Sequence, residues 1–160
     1  MDATQNLRRS SAVARTRHEP RWWWLAPRAL GALATLAVGV VHLQQYFKLY
    51  SSVPTIGTLF VANFAGATVI GLALLAPLER LAGRLGGAAV ALLSLGGIGL
   101  AATSFVALVV SESTGLFGFT EPGYDPTAIA ASRVAEAAVV ALLGSFLAAR
   151  FLARIPMPRW

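Results

Sequence analysis

The chain contains no cysteine and a single lysine, Lys48, and charged residues make up only 12% of its 160 residues. The absence of cysteine excludes disulfides, thiolate metal sites, iron–sulfur clusters and thiol redox chemistry. Hydrophobic residues make up 56% of the chain, which indicates a membrane protein rather than a soluble domain. The formal net charge of +6 does not predict a nucleic-acid partner, because the arginines flank apolar segments and fit the orientation of a membrane protein.

Histidine is also scarce, since the chain has only His18 and His42. His18 precedes the first apolar run, so a bis-histidine haem within the membrane is excluded. The sequence has no His-x-x-x-His or Glu-x-x-His spacing, no P-loop, no nucleophile elbow and no dinucleotide fingerprint. It therefore predicts no cofactor, no metal site and no catalytic residue, and it favours a non-enzymatic protein over an enzyme.

Four apolar runs have about the 20 residues that a transmembrane helix needs. They predict helices over residues 28–47, 56–77, 86–110 and 127–151. Short connections between them favour an antiparallel four-helix bundle. We therefore expect an all-α membrane protein with one transmembrane domain at 28–151, a basic and mostly disordered cytoplasmic tail at 1–27, and a cytoplasmic C-terminal tail at 152–160.

The arginines orient this bundle. If there are four spans, one side carries Arg8, Arg9, Arg15, Arg17, Arg21, Arg28, Arg80, Arg84, Arg150, Arg154 and Arg159. The other side carries Lys48 with Glu112, Glu121 and Asp125. Basic residues favour the cytoplasmic side, so the sequence predicts a multi-pass membrane protein with both termini in the cytoplasm. The abundance of Ala, Leu, Gly and Arg with a single Lys suggests a high-GC bacterial genome, and hence the bacterial plasma membrane.

Each predicted span carries a polar residue in its outer half. With a rise of about 1.5 Å per residue, His42 lies about 7 Å, Asn63 and Thr103 about 10 Å, Arg133 about 9 Å and Glu136 about 13 Å from the outer edge. The midplane is about 15 Å from either edge. Because ionisable groups in hydrocarbon usually face the bundle interior, a partner or a water-filled cavity, these five residues are a candidate ligand or ion cluster.

The residue spacing on three spans suggests that their polar faces converge. The helical stripes are Gly31, Thr35, Val38, His42 and Gln45 on span one; Leu59, Asn63, Gly66 and Ile70 on span two; and Arg133, Glu136, Val140 and Gly144 on span four. If these stripes face inward, they direct the polar residues to a common centre. A purely structural interpretation stays open. Arg133 and Glu136 would then neutralise each other, and His42, Asn63 and Thr103 would join helices by hydrogen bonds.

The predicted outer loop before span four combines aromatic residues with turn formers in the segment GLFGFTE, which ends at Glu121. Phe117 and Phe119 suggest two alternatives. The loop either folds over the mouth of the bundle as a lid, or forms a turn anchored at the membrane interface by its aromatic side chains.

The segments HLQQYFKLYSSVPTIGTLFVANF and GLFGFTE, followed by an acidic residue in span four, resemble small, functionally uncharacterised four-helix integral membrane proteins of actinobacteria. The resemblance covers spans one, two and four. It implies the same four-helix architecture and a plasma-membrane location, and it brings no catalytic or binding residues with it.

Three functions are compatible with these features, and the last of them, a membrane-embedded enzyme, is the least favoured. The first is an accessory or assembly subunit of a membrane complex, in which Arg133, Glu136 and the aromatic loop contact a larger partner. The alternative is a small transporter or a proton- or ligand-handling protein that uses the polar cluster. The expected partners are the lipid bilayer and either another membrane protein or further copies of this chain.

Overall fold

The computed structural model describes residues 22–153. In this part of the chain the long elements are four helices: α1 (Trp22–Gln45), α2 (Pro54–Leu75), α3 (Leu78–Ser113) and α4 (Pro126–Leu152). A π-helical turn, Tyr46–Tyr50, continues α1. Each long helix is long and apolar enough to cross a membrane, so the predicted all-α class and the four potential spans are confirmed. Most of the tails predicted at 1–27 and 152–160 lies outside the described residues.

Prolines mark where two helices begin. Pro54 and Pro126 lie in the first turns of α2 and α4, where a helix loses no hydrogen bond through the missing N–H. The third helix differs most from its expected range. It begins at Leu78, inside the predicted connection, and bends where Gly83 has a φ of +50°. The connection between α1 and α2 is also shorter than expected and comprises only residues 51–53.

The helices pack as neighbours around a small apolar core. Helix α1 contacts α2 and α4, and α3 contacts the same two helices. The buried core consists of Ala32, Val38, Leu74, Val90, Ala101, Val139, Leu143 and Phe146. Glycines allow the closest approaches, since a Cβ on Gly71 would lie 2.6 Å from Cγ of Leu36. Gly31 similarly faces Leu143 of α4. Small residues at such contacts let helix backbones approach closely.

Arg28 of α1 ties together one end of the molecule, which we call the Arg28 end. Its guanidinium donates hydrogen bonds to the carbonyls of Leu74 at 2.7 Å and Ala76 at 2.5 Å, and forms an ion pair with Glu79 at 2.8 Å. Arg150 of α4 also binds Glu79, at 3.5 Å. The beginning of α1 thus lies beside the end of α2, and Arg28 satisfies carbonyls that the end of α2 would otherwise leave unpaired.

The outer faces of all four helices are apolar. Large hydrophobic side chains are exposed along each of them, including Leu33, Val40, Val69, Leu72, Leu92, Val106 and Val134. Monomeric soluble proteins rarely expose apolar surface on this scale. A protein surrounded by the hydrocarbon of a bilayer, in contrast, needs no polar exterior. The apolar surface therefore agrees with four helices that could cross a membrane.

Candidate functional site: a polar cavity between the helices

His42 is buried and held on both sides of its ring. Nδ1 lies 2.9 Å from the carbonyl oxygen of Val38, and Nε2 lies 2.9 Å from the hydroxyl of Ser104 on α3. A carbonyl can only accept a hydrogen bond, so Nδ1 carries the proton. In the neutral ring, Nε2 therefore accepts the hydroxyl proton of Ser104. Phe60 packs against the ring at 4.9 Å between centroids.

Ser104 is a site residue that the sequence pattern does not predict, since the pattern favours its neighbour Thr103. The structure places Thr103 on the exposed surface at the cavity edge, whereas Ser104 reaches His42. Consecutive residues on an α-helix point about 100° apart. A span that is apolar all round gives no pattern to decide between two adjacent hydroxyl residues.

Glu136 is the most deeply buried acidic residue described here, with 1% of its surface exposed. Its Oε1 accepts a hydrogen bond from the Ser132 hydroxyl at 3.0 Å. Its Oε2 has no hydrogen-bond partner among the described residues. An unpaired buried oxygen is costly and calls for an explanation.

Arg133 does not form an ion pair with Glu136. The interpretation that these two residues neutralise each other is therefore wrong. Its guanidinium binds Glu112 of α3 instead, and its side chain is 41% exposed. Four residues on a helix turn through about 400°, leaving a 40° offset, whereas three leave 60°. Ser132, four residues before Glu136, therefore shares its buried face more closely than Arg133 does.

Asn63 of α2 is buried as well, and its Oδ1 has no partner in the described part of the chain. Together with Glu136, it leaves two buried oxygens without a donor. Both residues line the same cavity.

The cavity has a volume of about 460 Å³ and receives residues from all four helices and from the loop before α4. Its polar lining comprises His42, Gln45, Tyr50, Asn63, Thr103, Ser104, Ser111, Glu121, Asp125, Ser132 and Glu136. Four of the five residues in the predicted cluster therefore lie in its wall, while Arg133 does not. The rest of the wall is apolar or aromatic, as in most small-molecule sites.

Two of the three carboxyl groups in the wall are fully engaged. Glu121 accepts hydrogen bonds from the Tyr50 hydroxyl and from the N–H groups of Gly123 at 2.9 Å and Tyr124 at 3.1 Å. Asp125 accepts from the Ala128 N–H at 3.0 Å and from the Gln45 amide at 2.9 Å.

Hydrogen bonding determines the acidity of Asp125, which lies just before α4. The Ala128 N–H, then the Gln45 amide, and finally the charge of Lys48 at 3.7 Å all favour the carboxylate, so the pKa of Asp125 is below its usual value. Asp125 therefore both caps α4 and holds the end of α1 against it.

The loop before α4 forms one end of the cavity wall. Leu116 and Phe119 exchange backbone hydrogen bonds of 2.7 and 2.9 Å across a tight turn. Phe117 and Gly118, at the centre of this turn, have φ values of +51° and +80°, the pattern of a type I′ turn. Phe119 packs edge-on against Tyr50 at 5.7 Å. Phe117 contributes to the cavity wall, although 69% of its surface is exposed.

The wall of the cavity includes residues on the outer faces of α2 and α3. Three of its lining residues there are exposed: Leu59, which is 44% exposed, Ala62 on the same helix and Thr103 on α3. This side faces the same apolar exterior as the rest of the molecule.

No protein-family model, curated protein or solved structure matches this chain. Its function is therefore inferred from the residues of the cavity.

Proposed function

We propose that the chain crosses the plasma membrane of a bacterium as an antiparallel four-helix bundle with both termini in the cytoplasm. Arg28, Arg80, Arg84 and Arg150 support this orientation, because they lie near the end of α2, the start of α3 and the end of α4. Lys48 and Asp125 pair at the other end. Arginine-rich segments favour the cytoplasmic side.

The orientation can be tested directly, because the chain has no native cysteine. Ser52→Cys and Thr120→Cys place thiols in the two connections near Asp125, and Arg84→Cys places one near the Arg28 end. In intact cells, a membrane-impermeant maleimide is expected to label the first two variants and to label the third only after lysis. The reverse labelling pattern would overturn the orientation.

We further propose that the protein binds a small amphipathic molecule in its cavity, as a small transporter or ligand-handling protein. The observation that carries this proposal is the pair of buried oxygens, Asn63 Oδ1 and Glu136 Oε2, without donors in the described chain and in the wall of one cavity. A ligand that donates hydrogen bonds would satisfy both. The apolar wall would hold its hydrocarbon part.

An accessory or assembly subunit is the second candidate. Arg133 and Glu136 support it less directly than the sequence suggested, since the first is paired with Glu112 and the second is almost fully buried. Phe117 favours it, because a large aromatic side chain is exposed at a left-handed backbone position. Strained positions of this kind cluster at functional sites.

Purification in mild detergent, followed by mass spectrometry of proteins and small molecules together, separates the two candidates. A binding protein is expected to carry a stoichiometric small molecule that is lost in Ala107→Phe, which fills the cavity. The matched control is Ala102→Phe, because Ala102 is exposed on the same helix and outside the cavity wall. A stoichiometric protein partner without a small molecule would favour the subunit instead.

A further inference from the structure

We propose that the ligand of this cavity is a lipophilic amine, whose ammonium group binds the carboxylate of Glu136 while its hydrocarbon part fills the apolar wall. This inference rests on the proposed binding function and specifies its ligand class. Four observations support it: the acidic groups of the wall, the unpaired oxygens, the aromatic lining and the exposed lining residues on α2 and α3.

The ionisable groups of the wall are mainly acidic. Among the residues that the structure describes, the lining includes the carboxyl groups of Glu121, Asp125 and Glu136 but no lysine or arginine. Burying an unpaired charge is expensive. Only Asp125 among them has a cation bound, Lys48 at 3.7 Å. An anionic ligand would therefore meet Glu121 and Glu136 without a compensating cation, so the wall favours a neutral or cationic ligand.

The charged groups around Glu136 leave its Oε2 available. Arg133, on the preceding turn of α4, binds Glu112 and lies outside the wall. His42 is held by Val38 and Ser104 on its two ring nitrogens. Lys48 binds Asp125. Within residues 22–153, Glu136 therefore forms no ion pair, although Arg133 Nε, one turn earlier on α4, is also buried without a hydrogen-bond partner.

An ammonium group matches the unpaired oxygens better than a single hydroxyl does. It has several N–H donors and no acceptor, as in the lysine side chain. Glu136 Oε2 and Asn63 Oδ1 both need donors, and neither needs an acceptor. Charge-assisted hydrogen bonds are also about twice as strong as neutral ones. The same ion pair forms whether an ammonium meets the carboxylate or a neutral amine takes up the proton of the carboxylic acid.

The rest of the wall fits the apolar part of such a molecule. Tyr50, Phe60 and Phe119 supply aromatic rings to the wall, and such rings offer a large apolar area for the hydrocarbon part of the ligand. Their centroids are 4.7 Å apart for Tyr50 and Phe60, and 5.7 Å apart for Tyr50 and Phe119. Leu59 and Thr103, in the same wall, are also exposed on the apolar exterior of the helices. An amine dissolved in the bilayer would therefore meet this part of the wall.

Three probes of nearly equal size test the ligand class: 1-naphthylmethylamine, 1-naphthylmethanol and 1-naphthoic acid. Their binding is measured by equilibrium dialysis against the full chain in phosphatidylcholine nanodiscs, with empty nanodiscs subtracted. Zwitterionic lipid avoids charge attraction between amine and bilayer. The amine is expected to bind about tenfold tighter than the alcohol, and the acid is expected to bind weakest.

Glu136→Gln is expected to bring the affinities for amine and alcohol to within about twofold of each other. The matched control is Glu79→Gln, which removes the same charge at the Arg28 end, away from the cavity wall; it is expected to keep the preference for the amine. Thermal unfolding of both variants shows whether they fold. If Glu136→Gln does not fold, the preference of the unaltered protein among the three probes still decides.

Equal or tighter binding of the alcohol or the acid in the unaltered protein would overturn the amine proposal, as would a preference for the amine that survives in Glu136→Gln. If the alcohol then binds in the unaltered protein and not in Ala107→Phe, the binding function stands and only the ligand class fails. If no probe binds but a small molecule copurifies, the ligand class again fails alone. If no probe binds and nothing copurifies, both proposals fail.

Discussion

Arg133 of α4 forms its ion pair with Glu112 of α3, and not with Glu136 three residues further along its own helix. This pairing links the two helices that flank the loop before α4. It also leaves Glu136 in the cavity wall with its Oε2 unpaired in the described structure. The two charged residues of α4 thus have different roles. Arg133 holds α3 and α4 together through Glu112, whereas Glu136 remains available to a ligand.

A double-mutant cycle measures that contact. Glu112→Gln, Arg133→Gln and the double variant are expected to show a coupling of about 0.5–1 kcal/mol, because the pair is partly exposed. The measurement is the unfolding free energy in detergent at low salt. Additive effects of the two substitutions would show that the ion pair does not contribute to stability.

Arg28 is expected to contribute more to stability than the Arg133–Glu112 pair does, because it is buried and binds two carbonyls as well as a carboxylate. Lysine cannot reproduce the forked geometry of the guanidinium. Arg28→Lys is expected to lower the unfolding free energy by about 2 kcal/mol. Arg80→Lys is the control, since Arg80 is exposed on the same end, and it is expected to change stability by less than about 0.5 kcal/mol. Equal effects would contradict the role of Arg28.

Because Ser104 is hydrogen-bonded to His42 and Thr103 is not, removing the two hydroxyl groups is expected to change stability by different amounts. Ser104→Ala leaves His42 Nε2 without its donor and is expected to destabilise the protein by about 1 kcal/mol. Thr103→Ala removes an exposed hydroxyl and is expected to stay within about 0.5 kcal/mol. Imidazole nitrogen NMR would report the tautomer, and a proton on Nε2 rather than Nδ1 in the unaltered protein would contradict the assignment.

The ionisation of Asp125 is expected to account for part of the loss of stability at low pH. Hydrogen bonds from the Ala128 N–H and the Gln45 amide lower its pKa in the folded state. A lowered pKa gives stability that is present above the pKa of the unfolded chain and is lost as pH falls through the folded value. Below about pH 4, the unaltered protein is therefore expected to lose stability faster than Asp125→Asn. Parallel stability profiles of the two proteins across this range would refute the contribution.

Phe117 offers a test of the loop. Its backbone lies in the left-handed region, where asparagine before glycine suits a type I′ turn. If conformational strain dominates, Phe117→Asn is expected to stabilise the protein by roughly 1 kcal/mol, as judged by thermal unfolding in lipid nanodiscs. A loss of stability would show that the exposed ring makes a contact with lipid or partner that outweighs the strain. Thr120→Asn, at an exposed position of the same loop, is the control.

The cavity followed from the sequence only in part. On α1 the predicted stripe is buried along its whole length: Gly31, Thr35, Val38, His42 and Gln45. This helix packs against both α2 and α4, so one broad face is enclosed, and polar and small residues identify that face. His42 and Gln45 belong to that face, and both line the cavity.

On α4 the predicted inward face differs from the buried face by a rotation about the helix axis. The sequence grouped Arg133 and Val140 with Glu136, whereas the structure buries Ser132, Glu136, Val139, Leu143 and Phe146. On α2 the predicted Leu59 is exposed, and Ala67 is buried instead. In each case the lipid-facing side is as apolar as the core. Hydrophobic spacing then cannot distinguish the two faces.

Run length and composition therefore decide that the chain forms four long apolar helices and where most of them lie, because a bilayer requires about 20 apolar residues per crossing. The partners of the polar side chains are decided by packing between helices. A rotation of one residue, about 100°, exchanges Ser104 for Thr103 beside His42. The choice of Glu112 as the partner of Arg133 depends equally on which faces of α3 and α4 meet. These choices arise from contacts between distant parts of the chain, and local spacing does not encode them.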